Sequence, residues 1–204
     1  NDPVSLVSTK KMYVEGNGKY KIALLDFGMK ENICRCLTKR DCTVYVFPSS
    51  TSVEELLSVN PDGIFLSNGP GDPSDNVDII ENVKKLIMLK RPMMGICLGH
   101  QLLALAHGFS TTKLKYGHRG ANQPVKHLES GRTYISSQNH GYAVVNESID
   151  VNVAKPLFIN VNDNTNEGLE YLNEPCFSVQ FHPEACAGPK DTSFLFDNFI
   201  SMLT

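Results

Sequence analysis

The residues best suited to chemistry lie around Cys97, in the stretch Gly95-Ile96-Cys97-Leu98-Gly99. A short apolar run precedes this stretch, and an apolar run compatible with a helix follows it. Gly-x-Cys-x-Gly in that setting is typical of a nucleophile elbow, a sharp strand-to-helix turn that exposes a nucleophilic side chain. A helix that begins just after Cys97 would direct free N–H groups and the positive end of its dipole at the sulfur, which favours the thiolate. The sequence therefore predicts that Cys97 is an activated nucleophile.

A cysteine nucleophile needs a base nearby, and Phe181-His182-Pro183-Glu184 offers one. Pro183 favours an extended conformation at the preceding His182. In an extended chain, side chains two residues apart point to the same side, so Glu184 can hydrogen-bond the imidazole of His182. Taken alone, this pair could be an ordinary loop histidine beside a solvated glutamate. Together with the elbow, it predicts a triad of Cys97, His182 and Glu184.

The remaining histidines are weaker candidates for the base. His100 follows Cys97 by three residues, and we expect it to pack behind the elbow. No orienting partner comparable with Glu184 is expected for four others: His107, His118, His127 and His140. His182 and Glu184 could also bind a metal, but no third ligand stands out beside them. The sequence therefore predicts no metal and no cofactor.

A glycine-rich loop, residues 66–73, follows a predicted strand. Strand ends in α/β sheets border the ligand crevice, and an open backbone there can direct N–H groups at an oxyanion. We therefore predict that the N–H groups of Gly71 and Leu98 form an oxyanion hole. Gly-Pro-Gly also occurs in ordinary turns, which is the alternative interpretation. The Lys-Ser/Thr ending of a phosphate-binding loop is missing.

Two further polar segments, residues 117–124 and 136–142, have the composition of loops. The second could recognise a small polar ligand, although a surface turn explains it equally well. A small basic cluster is expected to be a solvated face: Lys113, Lys115, His118 and Arg119.

The elements that must position these residues alternate between strand and helix in the first half of the chain. Predicted strands cover residues 21–27, 42–47, 62–67 and 92–96, and predicted helices cover 29–38, 51–59, 75–90 and 98–106. This alternation favours a doubly wound α/β domain with a mostly parallel sheet and flanking helices. The second half predicts short added antiparallel strands at 125–128, 133–136, 142–146, 152–158, 168–172 and 176–180. An amphipathic helix at residues 189–203 is expected to close the domain.

The bulk composition sets limits on the function. The chain has 204 residues, 41% hydrophobic residues and a net charge of −3, which suits one globular domain and gives no support for nucleic acid as a partner. No apolar run reaches the length needed to span a bilayer. Its six cysteines are too sparse for a disulfide scaffold, so we expect a reducing, cytoplasmic location. Without an initiator Met, residues 1–19 are expected to be a linker in a longer protein.

The elbow at residues 95–101, the loop at 67–73 and the motif at 181–184 together resemble class I (triad) glutamine amidotransferase domains. The likeness runs from about Tyr20 to the C-terminus, so residues 20–204 are expected to form that domain. Within the class, residues 24–30, 116–120 and 138–142 look most like the glutaminase of carbamoyl-phosphate synthetase. That resemblance implies a missing N-terminal domain, which contributes a serine to the pocket in the family.

The resemblance also implies a role for each site residue. Cys97 is the nucleophile, His182 the general base and acid, and Glu184 orients His182. Gly71 and Leu98 supply the oxyanion N–H groups. The substrate glutamine is held at seven positions: Gly69, Gly71, Leu98, Gln101, Asn139, Gly141 and Tyr142. The implied partner is an ATP-using synthetase domain or subunit that makes carbamoyl phosphate for pyrimidine or arginine biosynthesis.

Three alternatives stay open at this point. The first is the glutaminase of another biosynthetic complex, for anthranilate, GMP or CTP. The second is a free-standing γ-glutamyl hydrolase on a similar frame. The third is a non-catalytic module that binds glutamine and regulates a partner.

Overall fold

The computed structural model describes residues 2–185 and 192–204. The strands in these ranges are β1 (Tyr13–Glu15), β2 (Tyr20–Asp26), β3 (Cys42–Pro48), β4 (Gly63–Leu66), β5 (Met93–Ile96), β6 (Thr111–His127), β7 (Thr133–Val144), β8 (Ala154–Asn160), β9 (Asn166–Tyr171) and β10 (Cys176–Val179). The helices are α1 (Pro3–Val7), α2 (Glu31–Thr38), α3 (Val53–Leu57), α4 (Val77–Met88), α5 (Leu98–Ala106) and α6 (Phe194–Met202). Short 3-10 turns lie at Pro73–Asp75 and Asn146–Ser148.

All the described strands belong to one sheet, in the order β1-β3-β2-β4-β5-β10-β9-β8-β6-β7. Neighbours from β3 through β10 run parallel, while β1 and the four strands β6 to β9 pair antiparallel with their neighbours. The predicted fold class, a doubly wound α/β domain with an antiparallel addition, is therefore confirmed. The chain moves outward from β2 to β3 and then back across to β4, so the sheet reverses direction beside β2 and β4.

Helices cover both faces of the parallel strands. On one face the core includes Leu56 of α3, Val83 of α4 and Leu102 of α5. On the other face it includes Leu37 of α2 and Phe196 of α6. Because the central strands are buried on both sides, they consist of near-continuous apolar runs, as parallel strands in such folds do.

Local hydrogen bonds set the helix boundaries. Ser52 caps α3 by accepting the N–H of Glu55, as the capping-box pattern predicts. Helix α2 begins two residues later than predicted, because Asp26 Oδ1 accepts the N–H groups of Gly28 and Met29 and holds them in a turn. These contacts fix the loop after β2, which borders the candidate site.

Part of the segment expected to be a linker folds onto the domain. Val4 of α1 is fully buried in the core, and the N–H of Thr9 donates to Asp26 Oδ2 at 2.8 Å. Strand β1 pairs with β3 at the edge of the sheet. The boundary at residue 20 stays a prediction, but residues 2–15 pack against the sheet.

The second half differs most from its prediction. Residues 117–124 and 136–142 are not loops, because they lie inside the long paired strands β6 and β7. Gly117 (φ 70°) and Gly120 (φ 109°) lie where the register of this hairpin shifts. Glycines of positive φ are used in β-bulges as well as in turns, so their local signal resembles that of a loop.

Strand β10 and helix α6 also refine the prediction. Strand β10 was expected among the antiparallel additions, but it pairs parallel with β5 and antiparallel with β9, so it joins the two parts of the sheet. Helix α6 lies within the predicted range, whose start at Pro189 falls outside the described residues, as does Cys186. In the described ranges, no helix has the length and apolar character needed to cross a membrane.

Candidate active site

Cys97 occupies a strained turn between β5 and α5. Its φ of 54° and ψ of −105° are rare for a residue with a side chain, and such strain concentrates at functional sites. The flanking glycines permit the turn by close packing: a Cβ on Gly99 would lie 2.2 Å from Leu66 O, and one on Gly95 would lie 2.8 Å from the backbone of Gly99. The predicted strand–elbow–helix geometry is therefore present, with α5 beginning at Leu98 as expected.

His182 and Glu184 meet beside this turn. His182 Nδ1 lies 2.7 Å from Glu184 Oε1, and both residues are buried. The His182 ring also hydrogen-bonds the side chain of Cys97. Burial acts to lower the pKa of His182, but the hydrogen bonds to Cys97 and Glu184, with their charges, raise it to about 9. The imidazole is therefore protonated at neutral pH and can stabilise a thiolate.

The end of β10 delivers His182 to this position. The N–H of Cys97 donates to Val179 O at 2.9 Å, which holds the elbow against β10. The N–H of His182 donates to Ser137 O of β7, also at 2.9 Å. Cys97 follows β5 and His182 follows β10, and these two strands are adjacent and parallel. Because the carboxyl ends of parallel strands meet at one edge of the sheet, the sulfur and the imidazole lie at the same edge.

The glycine-rich loop after β4 lies against the same elbow. Ser67 Oγ accepts the N–H of Phe27, and Ser67 O accepts the N–H of Gly99 at 3.1 Å. Gly71 has a φ of 91°, which a residue with a side chain rarely adopts. Leu98 is the first residue of α5, so its N–H has no acceptor within its own helix. Both N–H groups stay candidates for the oxyanion hole.

Gln101 connects the elbow helix to the hairpin. Its Nε2 donates to Tyr142 O at 2.9 Å and to Gln180 Oε1 at 3.0 Å. Sequence reasoning did not identify Gln180, because only the pairing of β10 with β5 brings it beside α5. This contact holds β7, with Asn139 and Gly141, against the helix that follows Cys97.

A cavity of about 630 Å³ brings most of the predicted residues together. Its lining includes eight of them: Gly69, Gly71, Cys97, Gln101, Asn139, Gly141, Tyr142 and His182. Leu98 and Glu184 are buried and lie outside the lining. The predicted site residues therefore lie together at this cavity. The catalytic and binding roles of these residues stay a prediction.

The rim of this cavity is cationic, which the sequence did not reveal. Lys30, Lys113 and Arg119 line it, no Asp or Glu does, and none of the three cations has an ion pair within the described residues. The predicted solvated face is confirmed for Lys113, Lys115 and Arg119, which are exposed, and is wrong for His118, which is buried. The pairing of β6 with β7 would have indicated the position of Arg119 at the rim, since this residue lies opposite Asn139 of the predicted binding set.

Helix α1 also contributes to the cavity. Val7 lines it, and Pro3 lies so close to Gly71 that a Cβ there would be 2.6 Å from its Cγ. No motif marked these residues, because their contacts with residues 28 and 71 are distant in sequence.

The other histidines are in varied surroundings. His100 is fully buried and contacts Ser178 Oγ at 2.7 Å, and burial lowers its pKa to about 3, so its predicted packing role is confirmed. The expectation that the others lack orienting partners comparable with Glu184 is wrong for three of them. His107 pairs with Glu174, His118 Nε2 lies 2.6 Å from Asp163 Oδ2, and His140 Nε2 lies 3.8 Å from Glu167 Oε1.

Comparisons with known proteins identify the family of this chain. A family model described as "Glutamine amidotransferase class-I" matches residues 23–202. The carbamoyl phosphate synthase small chain of Clostridium acetobutylicum is 52% identical over 203 residues, covering 99% of this chain and 57% of that protein. That of Bacillus cereus is 52% identical over 202 residues, covering 99% and 55%. The chain thus spans about half the length of the curated relatives it matches.

Two solved structures share the fold. A Thermoplasma acidophilum protein, provisionally described as part of a GMP synthase, has a TM-score of 0.78 at 24% identity, over 93% of this chain and 96% of that one. A glutamine amidotransferase from Thermotoga maritima has a TM-score of 0.64 at 16% identity, over 92% and 85%. At these identities the likeness concerns the fold alone.

Proposed function

The chain belongs to the class I glutamine amidotransferase family, and from this premise we propose that it hydrolyses glutamine to glutamate and ammonia through a thioester on Cys97. The observation that carries the proposal is the contact of Cys97, at a strained strand-to-helix turn, with a buried His182 that Glu184 orients. A strained, buried thiol beside an oriented base is suited to acyl transfer.

In the proposed first step, the Cys97 thiolate attacks the side-chain amide carbon of glutamine. Negative charge then develops on the amide oxygen, and the N–H groups of Gly71 and Leu98 stabilise it. The protonated His182 gives its proton to the departing nitrogen, so ammonia leaves and a glutamyl thioester remains. Glu184 keeps the imidazole ring oriented and stabilises its charge.

In the second step, the neutral His182 removes a proton from water, which attacks the thioester carbonyl. The same two N–H groups stabilise the second oxyanion. Collapse of this intermediate releases glutamate and restores the imidazolium beside the Cys97 thiolate. Each proton that His182 gives in the first step is thus recovered in the second.

The cavity supports glutamine as the acyl donor. Asn139, Gly141 and Tyr142 line one wall, Gly69 lines another, and Gln101 fixes the distance between the elbow and the hairpin. We propose that Arg119 and Lys113 attract the α-carboxylate of glutamine, because they are the cations on the hairpin side of a cavity lined by no Asp or Glu. Charge-assisted hydrogen bonds of this kind are the stronger ones.

We further propose that the ammonia serves the synthesis of carbamoyl phosphate by an ATP-using partner. The similarity to carbamoyl phosphate synthase small chains, at 52% identity, supports this choice over synthases of anthranilate, GMP or CTP. Residues 20–204 would then be the glutaminase domain, and the additional length of the relatives leaves room for an N-terminal domain. A cytoplasmic location is part of the proposal, and the five free thiols in the described ranges agree with a reducing compartment.

The proposal is tested by the products and by the intermediate. Glutamine should yield equal amounts of glutamate and ammonia, and rapid acid quenching should trap a glutamyl adduct on Cys97 that mass spectrometry locates. An electrophilic glutamine analogue should label Cys97 with one group per chain, and free glutamine should block it. If Cys97 is not labelled and no glutamate forms, the alternative function of a non-catalytic glutamine-binding module is favoured. If γ-glutamyl peptides are cleaved in preference to glutamine, the alternative function of a γ-glutamyl hydrolase is favoured.

The partner is tested separately. The chain, in its natural full length, should restore glutamine-dependent carbamoyl phosphate formation to an ATP-using large chain from a relative. Ammonia-dependent synthesis by the large chain alone is the control. Restoration of anthranilate, GMP or CTP synthesis instead would overturn the assigned partner while leaving the glutaminase proposal intact.

A further inference from the structure

A buried cluster of metal-binding side chains lies behind the hairpin wall of the cavity, outside the triad. His118 of β6, His140 of β7 and Glu167 of β9 are all buried. His118 Nδ1 lies 3.3 Å from His140 Nε2, and Glu167 Oε1 lies 3.8 Å from His140 Nε2. Their three ligand atoms are within 4.8 Å of one another. Three separate strands thus bring two imidazoles and a carboxylate to one point.

The outer nitrogen of each imidazole is already engaged. His118 Nε2 lies 2.6 Å from Asp163 Oδ2, and His140 Nδ1 lies 2.7 Å from Tyr142 O. An ionised carboxylate can only accept, so His118 Nε2 carries the proton of its ring. His140 has an accepting oxygen 2.7 Å from each ring nitrogen, Tyr142 O at Nδ1 and Gln138 Oε1 at Nε2, so either nitrogen can carry its proton. In the neutral ring of His118, the lone pair is therefore on Nδ1, which faces His140 Nε2. Imidazoles that bind metals are commonly held in this way by an outer carboxylate or carbonyl.

Two oxygens lie close to these nitrogens. Glu167 Oε1 is fully buried and has no hydrogen-bond partner within the described residues. Gln138 Oε1 lies 2.7 Å from His140 Nε2. The amide nitrogen of Gln138 donates to Glu167 Oε2 and Ser136 Oγ, which fixes the direction of its oxygen. Four atoms that can bind a metal thus converge: His118 Nδ1, His140 Nε2, Glu167 Oε1 and Gln138 Oε1.

We propose that His118, His140 and Glu167 bind one zinc ion, with Gln138 Oε1 closest to the fourth position. Zinc–nitrogen bonds of about 2.0–2.1 Å in a tetrahedron place ligand atoms roughly 3.4 Å apart. The 3.3 Å between His118 Nδ1 and His140 Nε2 matches that spacing. Calcium and magnesium prefer oxygen ligands, so two imidazole nitrogens argue for zinc.

The site is structural in this proposal. Its protein ligands fill the coordination sphere and leave no open position for a substrate, as in other closed zinc sites. The ion would tie β6, β7 and β9 together next to Asn139, whose neighbour His140 lines the cavity. The inference stands apart from the glutaminase proposal, because it uses neither Cys97 nor His182.

The test is made on the natural full-length protein carrying Cys97→Ala, because a thiol beside a histidine could itself bind zinc. After exposure to zinc and gel filtration, elemental analysis should find about one zinc per chain. The same protein with His118→Asn or with Glu167→Gln should retain less than about a tenth of that amount. His127→Asn, a histidine of the same strand outside the cluster, is the matched control and should retain all of it.

Several results would overturn the proposal. A folded Cys97→Ala protein that retains no zinc would show that this cluster does not bind the ion. Full retention by a folded His118→Asn and Glu167→Gln pair would place the zinc elsewhere. If these variants do not fold, X-ray absorption at the zinc edge of the Cys97→Ala protein decides. Two imidazoles with oxygen ligands support the proposal, and any other coordination refutes it.

Discussion

The two parts of the sheet divide the proposed work between them. The parallel half, β2 to β5 with β10, carries the proposed nucleophile, its proposed base and the proposed oxyanion loop at the ends of adjacent strands. The antiparallel half, β6 to β9, carries the wall formed by Asn139, Gly141 and Tyr142. Gln101 links the two halves by hydrogen bonds, as do the pairing of β10 with β9 and the bond from the His182 N–H to Ser137 O. We therefore expect changes in the parallel half to act on kcat and changes in the antiparallel half to act on KM.

The largest effect is expected at the nucleophile. Cys97→Ala should lower kcat for glutamine hydrolysis by about 10⁴–10⁶-fold, as loss of a nucleophile does in other acyl-transfer enzymes. Glutamate release measures it. Cys42→Ala is the matched control, because this buried thiol lies at the opposite end of the parallel half, at the start of β3. Equal rates for the Cys97→Ala and unmodified proteins would show that Cys97 is not the nucleophile and that the parallel half does not carry out the reaction.

A smaller effect is expected at the orienting carboxylate. Glu184→Gln should lower kcat by about 10³–10⁴-fold with little change in KM, because the amide cannot stabilise the charged ring of His182 in the same way. Steady-state kinetics measure both constants. Glu174→Gln, which changes the partner of His107 away from the cavity, should retain activity. A rise in KM with kcat unchanged would show that Glu184 acts in substrate binding and not in the chemical step. It would also contradict the division of roles between the two halves of the sheet.

The parallel half should also have its own pH dependence of stability. The pKa of His182 is raised to about 9 by its hydrogen bonds and neighbouring charges, against the ordinary 6.5. The contribution of protonated His182 to the free energy of unfolding is therefore complete below about pH 6.5 and is lost as the pH rises through about 9. This contribution is at most about 3 kcal/mol. Urea unfolding at these two pH values should show a smaller loss in Glu184→Gln. Identical losses in both proteins would contradict the assigned cause.

The smallest effect on activity is expected at the rim of the antiparallel half. Arg119→Gln should raise KM for glutamine about 10-fold and leave kcat nearly unchanged, because it removes one charge-assisted contact. 4-Aminobutyramide lacks the α-carboxylate, so its kcat/KM should not change in the variant. Arg132→Gln, a cation beside Tyr134 outside the cavity lining, is the control. An equal loss for both substrates would show that Arg119 does not contact the carboxylate.

The sequence predicted the parallel half well because its signals are local. Helix α5 has its predicted bounds, and β3 ends one residue beyond its prediction. Apolar runs, a capping serine at Ser52 and the glycines around Cys97 each act within a few residues. The three catalytic candidates also lie in short motifs, which explains why they could be identified without the fold.

The antiparallel half was predicted poorly because its structure depends on pairing at long range. Gly117 and Gly120 adopt positive φ in bulges of β6, and the same residues would suit a turn. His118 contacts Asp163, which is 45 residues away, and Gln138 contacts Glu167, 29 residues away. No local pattern marks such pairs, so the cationic rim and the buried cluster emerged only with the register of the strands.

Helix α1 has a practical consequence for anyone who wishes to transplant this module into another protein. Val7 forms part of the cavity wall, and Thr9 is anchored to Asp26 at the end of β2. A graft that starts at residue 20 would leave that wall open to water and the core without Val4. The smallest portable unit therefore begins before the first motif that the sequence displays, and its leading segment should travel with the catalytic residues.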